Sequence, residues 1–108
     1  MEKFVKGDIV VIPFPFSDLS SAKKRPALVI HVLEGNDLIL CQITSRDVGP
    51  DKYSINLDNG DFKEGSLNIS SYIKPSKIFT ADRSLILYRV GQLKQNKISE
   101  VIEKLCKY

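Results

Sequence analysis

The sequence predicts a single small, mainly β domain closed by one C-terminal helix, and three observations carry that prediction. Short runs of β-branched and aromatic residues recur along most of the chain, bounded by Pro, Gly, Asn, Asp or Ser. Turn signals fall between them at close intervals, as in a small sandwich or barrel. Only near the end does the apolar spacing change to i, i+3, i+4, i+7, the period of a helix face.

The first run, Ile9 to Ile12 with Phe14, reads as a strand, and Ala27 to Ile30 with Val32 reads as a second. The polar segment between them ends on Lys23-Lys24-Arg25-Pro26 and is too long for a tight hairpin. Loops of that size on a β frame often bind ligands, and the polar 15–24 loop is expected to move in the absence of one. Pro26 fixes its own φ and drives Arg25 into an extended conformation. Glu34-Gly35-Asn36-Asp37 is a turn by composition, so residues 26–44 read as a hairpin whose return strand is Leu38 to Thr44.

Residues 45–52 read as a loop around Gly49-Pro50-Asp51, and Tyr53, Ile55 and Leu57 alternate with polar residues as in a half-buried strand. Asp58-Asn59-Gly60-Asp61 is the strongest turn signal. A weak strand is expected at Ser66 to Ile69, and an extended segment at Tyr72 to Thr80 in which Pro75 marks an edge or a bulge. Leu85 to Gly91 reads as the last strand. Ile98, Val101, Ile102 and Leu105 then form the apolar stripe of a three-turn helix, for which Asn96 is a better N-cap than Lys94. Met1 to Val5 either adds an edge strand or frays.

A chain of 108 residues is one domain that can bury a core without metal or disulfide help. No apolar stretch approaches the roughly 20 residues of a membrane span, and no signal-peptide pattern opens the chain, so a cytoplasmic home is expected. Cys41 and Cys106 make no metal-ligand spacing and read as free thiols in or near the core. The net charge of +3 favours anionic partners only mildly; the run Lys23-Lys24-Arg25, with Arg46 after the next strand, says more about where an anion would sit.

The common catalytic sets are absent. His31 is the single histidine, lies in an apolar run and reads as structural, which excludes a pair of imidazoles. No nucleophile-elbow, P-loop, paired-histidine zinc or paired-cysteine pattern occurs, and carboxylates fall mostly in turns, so no cofactor or metal is expected.

Gly7-Asp8, the strand IVVIPFPF, Arg25-Pro26 with ALVI, and the strand end Cys41-Gln42-Ile43-Thr44-Ser45 resemble, in order and spacing, the MazF/PemK toxins of bacterial toxin–antitoxin systems. The resemblance spans the chain. It implies a compact SH3-like barrel of the MazF, PemK and CcdB type, a homodimer with RNA grooves along its interface, and a toxin that cuts single-stranded RNA. It also implies an antitoxin partner that blocks those grooves with an acidic tail.

The reaction it implies needs neither metal nor enzyme nucleophile: a ribose 2′-hydroxyl attacks the adjacent phosphorus, leaving a cyclic phosphate and a 5′-hydroxyl. In-line positioning, charge stabilisation and help with two proton movements suffice. Arg25 matches the family's catalytic arginine, and its planar fork suits phosphate oxygens. Thr44 matches the catalytic threonine, with Ser45 a near substitute. Phe16, Ser17, Lys23, Lys24 and Arg46 are the candidate RNA-binding residues, with Phe14, Tyr53 and Tyr72 as further aromatics that could meet a base. The chain departs from the plasmid-borne Kid/PemK branch: its loop carries no histidine, and Lys74-Pro75-Ser76 stands where that branch has an arginine and an aspartate.

Other readings remain open on these residues. Arg25 could simply bridge a carboxylate such as Asp8, and Thr44 could cap the sheet. The whole chain could be a binding module that grips RNA or an antitoxin without cutting. A CcdB-like gyrase poison is a further alternative, weakened because its activity is attributed to C-terminal residues with a prominent Trp, whereas this chain has no Trp and ends in Lys107-Tyr108.

Overall fold

The computed structural model describes residues 3–14, 23–45, 49, 52–67 and 70–106, with Phe14 described for its backbone only. Seven strands form one curled antiparallel sheet: β1 (Asp8–Phe14), β2 (Lys23–Val32), β3 (Asp37–Ser45), β4 (Ile55–Leu57), β5 (Phe62–Gly65), β6 (Ser71–Asp82) and β7 (Tyr88–Leu93). Their spatial order is β4-β6-β3-β2-β1-β7-β5, and one α-helix among the described residues, α1 (Gln95–Leu105), follows. The mainly β half-barrel with one terminal helix is the architecture that the strand runs and the final change of period imply. No described helix is long and apolar enough to cross a membrane.

Both faces of the central strands are covered, which explains why their sequences are continuous apolar runs rather than alternating ones. On one face Ile9, Leu28, Cys41, Ile43 and Ile73 pack with Ile98 and Val101 of α1. On the other, Val10, Ile12, Ala27, Val29, Leu38 and Leu40 pack with Phe4 and Ala81. The helix stripe is the one read from the sequence, with Ile102 and Leu105 half-buried beside the first cluster. Gly7, at φ +96°, lets the chain turn directly beneath Ile98, where a Cβ would collide with that side chain.

Several boundaries differ from the sequence expectation, each for a tertiary reason. The helix starts at Gln95 with Lys94, not Asn96, as its N-cap and with no side-chain cap bond. The hydrogen bonds Leu93 N–H to Gly7 O and Lys94 N–H to Asp61 O fix where β7 ends, and the Lys94 carbonyl accepts from Lys97 and Ile98. The strand expected over 66–69 lies instead at Phe62–Gly65, paired to β7; residues 66 and 67 are not strand, and 68–69 lie outside the described residues. The last strand begins at Tyr88 rather than Leu85, because Arg83–Leu85 is a 3-10 turn capped by Asp82, whose side chain accepts from Ser84 N–H. Near the N-terminus, Lys3 to Val5 are not strand, yet Phe4 is buried.

Pro75 sits at a bulge, as expected. β3 pairs Cys41 with Ile78 and then Gln42 with Lys74, so residues 75–77 of β6 are looped out of the ladder. β4 covers the other side of β6 only from Ser71 to Ile73, so among the described strands none flanks Pro75 there. His31 is exposed rather than structural: the β2–β3 register shifts between Val29 and His31, turning the imidazole outward. Cys41 is buried, but Cys106 is exposed and no part of the core.

Candidate active site

The pairing of the central strands creates the site. β2 follows β1 to its first residue, pairing Ile12 with Arg25, Pro13 with Lys24 and Phe14 with Lys23. Its ladder to β3 ends earlier, at Ala27 with Gln42, and Pro26 has no N–H to extend it. β3 meanwhile stays with β6, pairing Thr44 with Tyr72 and Ser45 with Ser71. Where the two ladders diverge, a hollow of about 270 Å³ opens, lined by Lys24, Arg25 and Pro26 of β2, Ile43 and Ser45 of β3, Ser71 of β6, and Leu67.

Of the residues singled out in the sequence, Arg25, Ser45 and Lys24 line this hollow together. Arg25 and Ser45 are half-buried and Lys24 is exposed. Thr44 is not among the lining residues. It is only 7% exposed, and its Oγ1 is buried without a hydrogen-bond partner among the described residues. Counting the β2–β3 register on from Ala27–Gln42 by two residues sets Arg25 opposite Thr44, on the face of the sheet away from Ile43 and Ser45. Lys23 is exposed and does not line the hollow. Phe16, Ser17, Arg46 and most of the 15–24 loop lie outside the described residues, as does the side chain of Phe14. Tyr53 and Tyr72 are half-buried away from the hollow.

Among the described residues, no acidic side chain lines the hollow. Asp8, considered above as a partner for Arg25, is committed elsewhere. Asp8 is 1% exposed and accepts from Val5 N–H at 2.9 Å, Arg89 Nε at 3.0 Å and Gln92 Nε2 at 3.2 Å. Arg89 also meets Glu64; that contact, with Asp8 second, raises the Arg89 pKa, and the Arg89 guanidinium lowers that of Glu64. Cys41, beneath the site on β3, donates Sγ–H to the Lys74 carbonyl at 3.0 Å, and burial pushes its thiol up to about 12, which removes it as a nucleophile. Lys74 is itself buried and donates from Nζ to the Gly49 carbonyl at 3.2 Å. Among the described residues no group of three His, Cys, Asp or Glu side chains is placed to hold a metal ion.

Leu67 and Ser71 were not marked by the sequence. Ser71 enters through its pairing with Ser45, which only the β3–β6 register reveals. Leu67 has no local signal at all; its N–H is held by Asn59 Oδ1 at 3.2 Å, a contact across the strong turn.

A family model described as the PemK-like, MazF-like toxin of type II toxin-antitoxin systems matches residues 5–108. The chain belongs to this toxin family. Among solved structures, MazF from Deinococcus radiodurans superposes with a TM-score of 0.74 at 20% identity, covering 99% of this chain and 96% of that one. An endoribonuclease in complex with its cognate antitoxin from Mycobacterial species gives 0.73 at 11% identity, over 99% and 93% of the two chains. The Mycobacterium tuberculosis toxin MazF-mt6 gives 0.67 at 15% identity, over 93% of each. At these identities the likeness is one of fold. A comparison with curated protein sequences gave no match.

Proposed function

We propose that this toxin is an endoribonuclease that cuts single-stranded RNA in the Arg25–Ser45 hollow by 2′-hydroxyl attack, without a metal ion. The observation that supports this is that Arg25 and Ser45, from two neighbouring strands, both line one hollow with no acidic lining residue among those described. The phosphodiester sits there with its non-bridging oxygens on Arg25. As the 2′-oxygen bonds to phosphorus, negative charge grows on those oxygens and the bidentate fork stabilises it. The 2′-hydroxyl gives its proton to water as it attacks, the bond from phosphorus to the 5′-oxygen then breaks, and the departing oxygen takes a proton back from water, giving a 2′,3′-cyclic phosphate and a 5′-hydroxyl end.

Ser45 supplies the hydroxyl of the hollow's lining, and Thr44, opposite Arg25 in register, carries a buried hydroxyl that lacks a partner among the described residues. Leaving such a group unsatisfied costs about 1–3 kcal/mol, so a bound phosphate or the side chains it draws in would relieve a standing penalty. Lys23, Lys24 and Arg46 contribute positive charge towards RNA, and the same charge suits an acidic antitoxin. The toxin acts in the cytoplasm as a homodimer.

The test is incubation of the purified chain with a long RNA in excess chelator. Cleavage with 5′-hydroxyl ends is expected, falling about 10²–10³-fold in Arg25→Ala and more modestly in Thr44→Ala and Ser45→Ala. Tight RNA retention without any cleavage would replace this reading with a non-catalytic binding module.

A further inference from the structure

A second hollow adjoins the first. It also measures about 270 Å³ and shares Lys24, Pro26 and Leu67 with the Arg25–Ser45 hollow, so the two adjoin along these residues. Its far wall is Val11 of β1 and Tyr88 of β7, cross-strand partners in the β1–β7 ladder, with Ser66 at the rim. Tyr88 is 48% exposed, a large aromatic surface left open beside a cation. The walls are rigidly built. Gly65 pairs with Gly91, and a Cβ on Gly65 would collide with the Val90 carbonyl, so β5 approaches β7 closely enough to set Ser66 and Leu67 beside Tyr88. Among the described residues, no acidic side chain lines either hollow.

We propose that this second hollow is a nucleobase subsite: the base next to the scissile step stacks on Tyr88, while Lys24 holds the phosphate between the two hollows. The proposal rests on the reading of the first hollow as the cleavage site. Every base has a π-face, so an open aromatic ring continuous with a cationic phosphate site suits single-stranded RNA without demanding one base. An apolar floor of Val11, Pro26 and Leu67 shields the stack from water, and the Ser66 hydroxyl can reach a base edge. Tyr88 is a binding residue here; it takes no part in proton transfer.

The chain has no tryptophan, so Tyr88→Trp introduces a single reporter whose emission a stacked base quenches. The probe is an eight-nucleotide DNA strand of mixed sequence, which lacks the 2′-hydroxyl and cannot be cut. Saturable quenching is expected. By anisotropy of the labelled strand, Tyr88→Ala should bind roughly 5- to 100-fold more weakly, the loss of one base–aromatic stack, whereas Tyr88→Phe binds like the parent. Unchanged emission at saturation, or unweakened binding by Tyr88→Ala, would overturn the subsite, as would failure of the parent chain to bind the strand. Cleavage of RNA by the parent chain is read separately. Cleavage without quenching removes the subsite and leaves the nuclease; quenching without cleavage leaves the subsite and removes the nuclease.

Discussion

Replacing Asp8 by Asn should destabilise this fold more than any other single-atom change at a polar position. The carboxylate is 1% exposed and gathers three donors: Val5 N–H on Oδ2, and Arg89 Nε with Gln92 Nε2 on Oδ1. These contacts tie the N-terminal segment to β1 and β1 to β7. In Asp8→Asn the amide oxygen can keep the pair on one side, but the NH2 group then confronts the Val5 N–H, donor against donor. A hydrogen bond to a charged acceptor contributes about 1.5–3 kcal/mol, and one is lost outright while two lose their charge. The Arg89 share is discounted because its guanidinium is 28% exposed. The expected loss is about 2–4 kcal/mol from a total that for such domains is about 5–15. At about 4 °C per kcal/mol for a chain near 100 residues, the midpoint of thermal unfolding falls by about 8–16 °C. Urea unfolding followed by circular dichroism gives the free energy directly. Glu64→Gln, which removes the exposed carboxylate on the other side of Arg89, is the control and should move the midpoint little. A loss below about 0.5 kcal/mol in Asp8→Asn, no larger than an ordinary surface substitution, would refute the accounting.

The other structural expectations are more direct. Gly65→Ala forces a Cβ onto the Val90 carbonyl at φ +76° and should cost about 3 kcal/mol or more, measured by the same urea series; it should also weaken oligonucleotide binding, since β5 sets the wall both hollows share. A thiol reagent near pH 8 should modify one cysteine of the native chain, the exposed Cys106, and reach Cys41 only on unfolding. Because burial raises the Cys41 thiol from 9.0 to about 12, the unfolded chain releases this proton first as pH rises. Stability should therefore fall as pH climbs above about 9, and Cys41→Ala should lessen that slope.

The sequence alone determined the fold class, because burial leaves local traces. Central strands covered on both faces must be apolar throughout, and Ile9 to Ile12, Ala27 to Ile30 and Leu38 to Cys41 are. The helix needs one apolar face, and Ile98, Val101, Ile102 and Leu105 supply it at helical spacing. Boundaries were less legible where a distant contact overrides local preference. Lys94 caps α1 although Asn96 has the better side chain, since the Gly7 and Asp61 carbonyls hold the chain there. His31 looks internal by its neighbours and is turned outward by a one-residue shift in register.

For the site, Arg25, Thr44 and Ser45 were marked by residue type and by their place at strand ends. Which hydroxyl faces the hollow was not, because neighbouring residues on a strand point to opposite faces, and that choice is set by the pairing with β2 and β6. Leu67, Ser71 and Tyr88 carried no signal, being distant from Arg25 in the chain and near it only through the curl of the sheet. A local pattern records what each segment must bury. Only tertiary structure decides which segments share a hollow, because that depends on where one ladder ends while its neighbour continues.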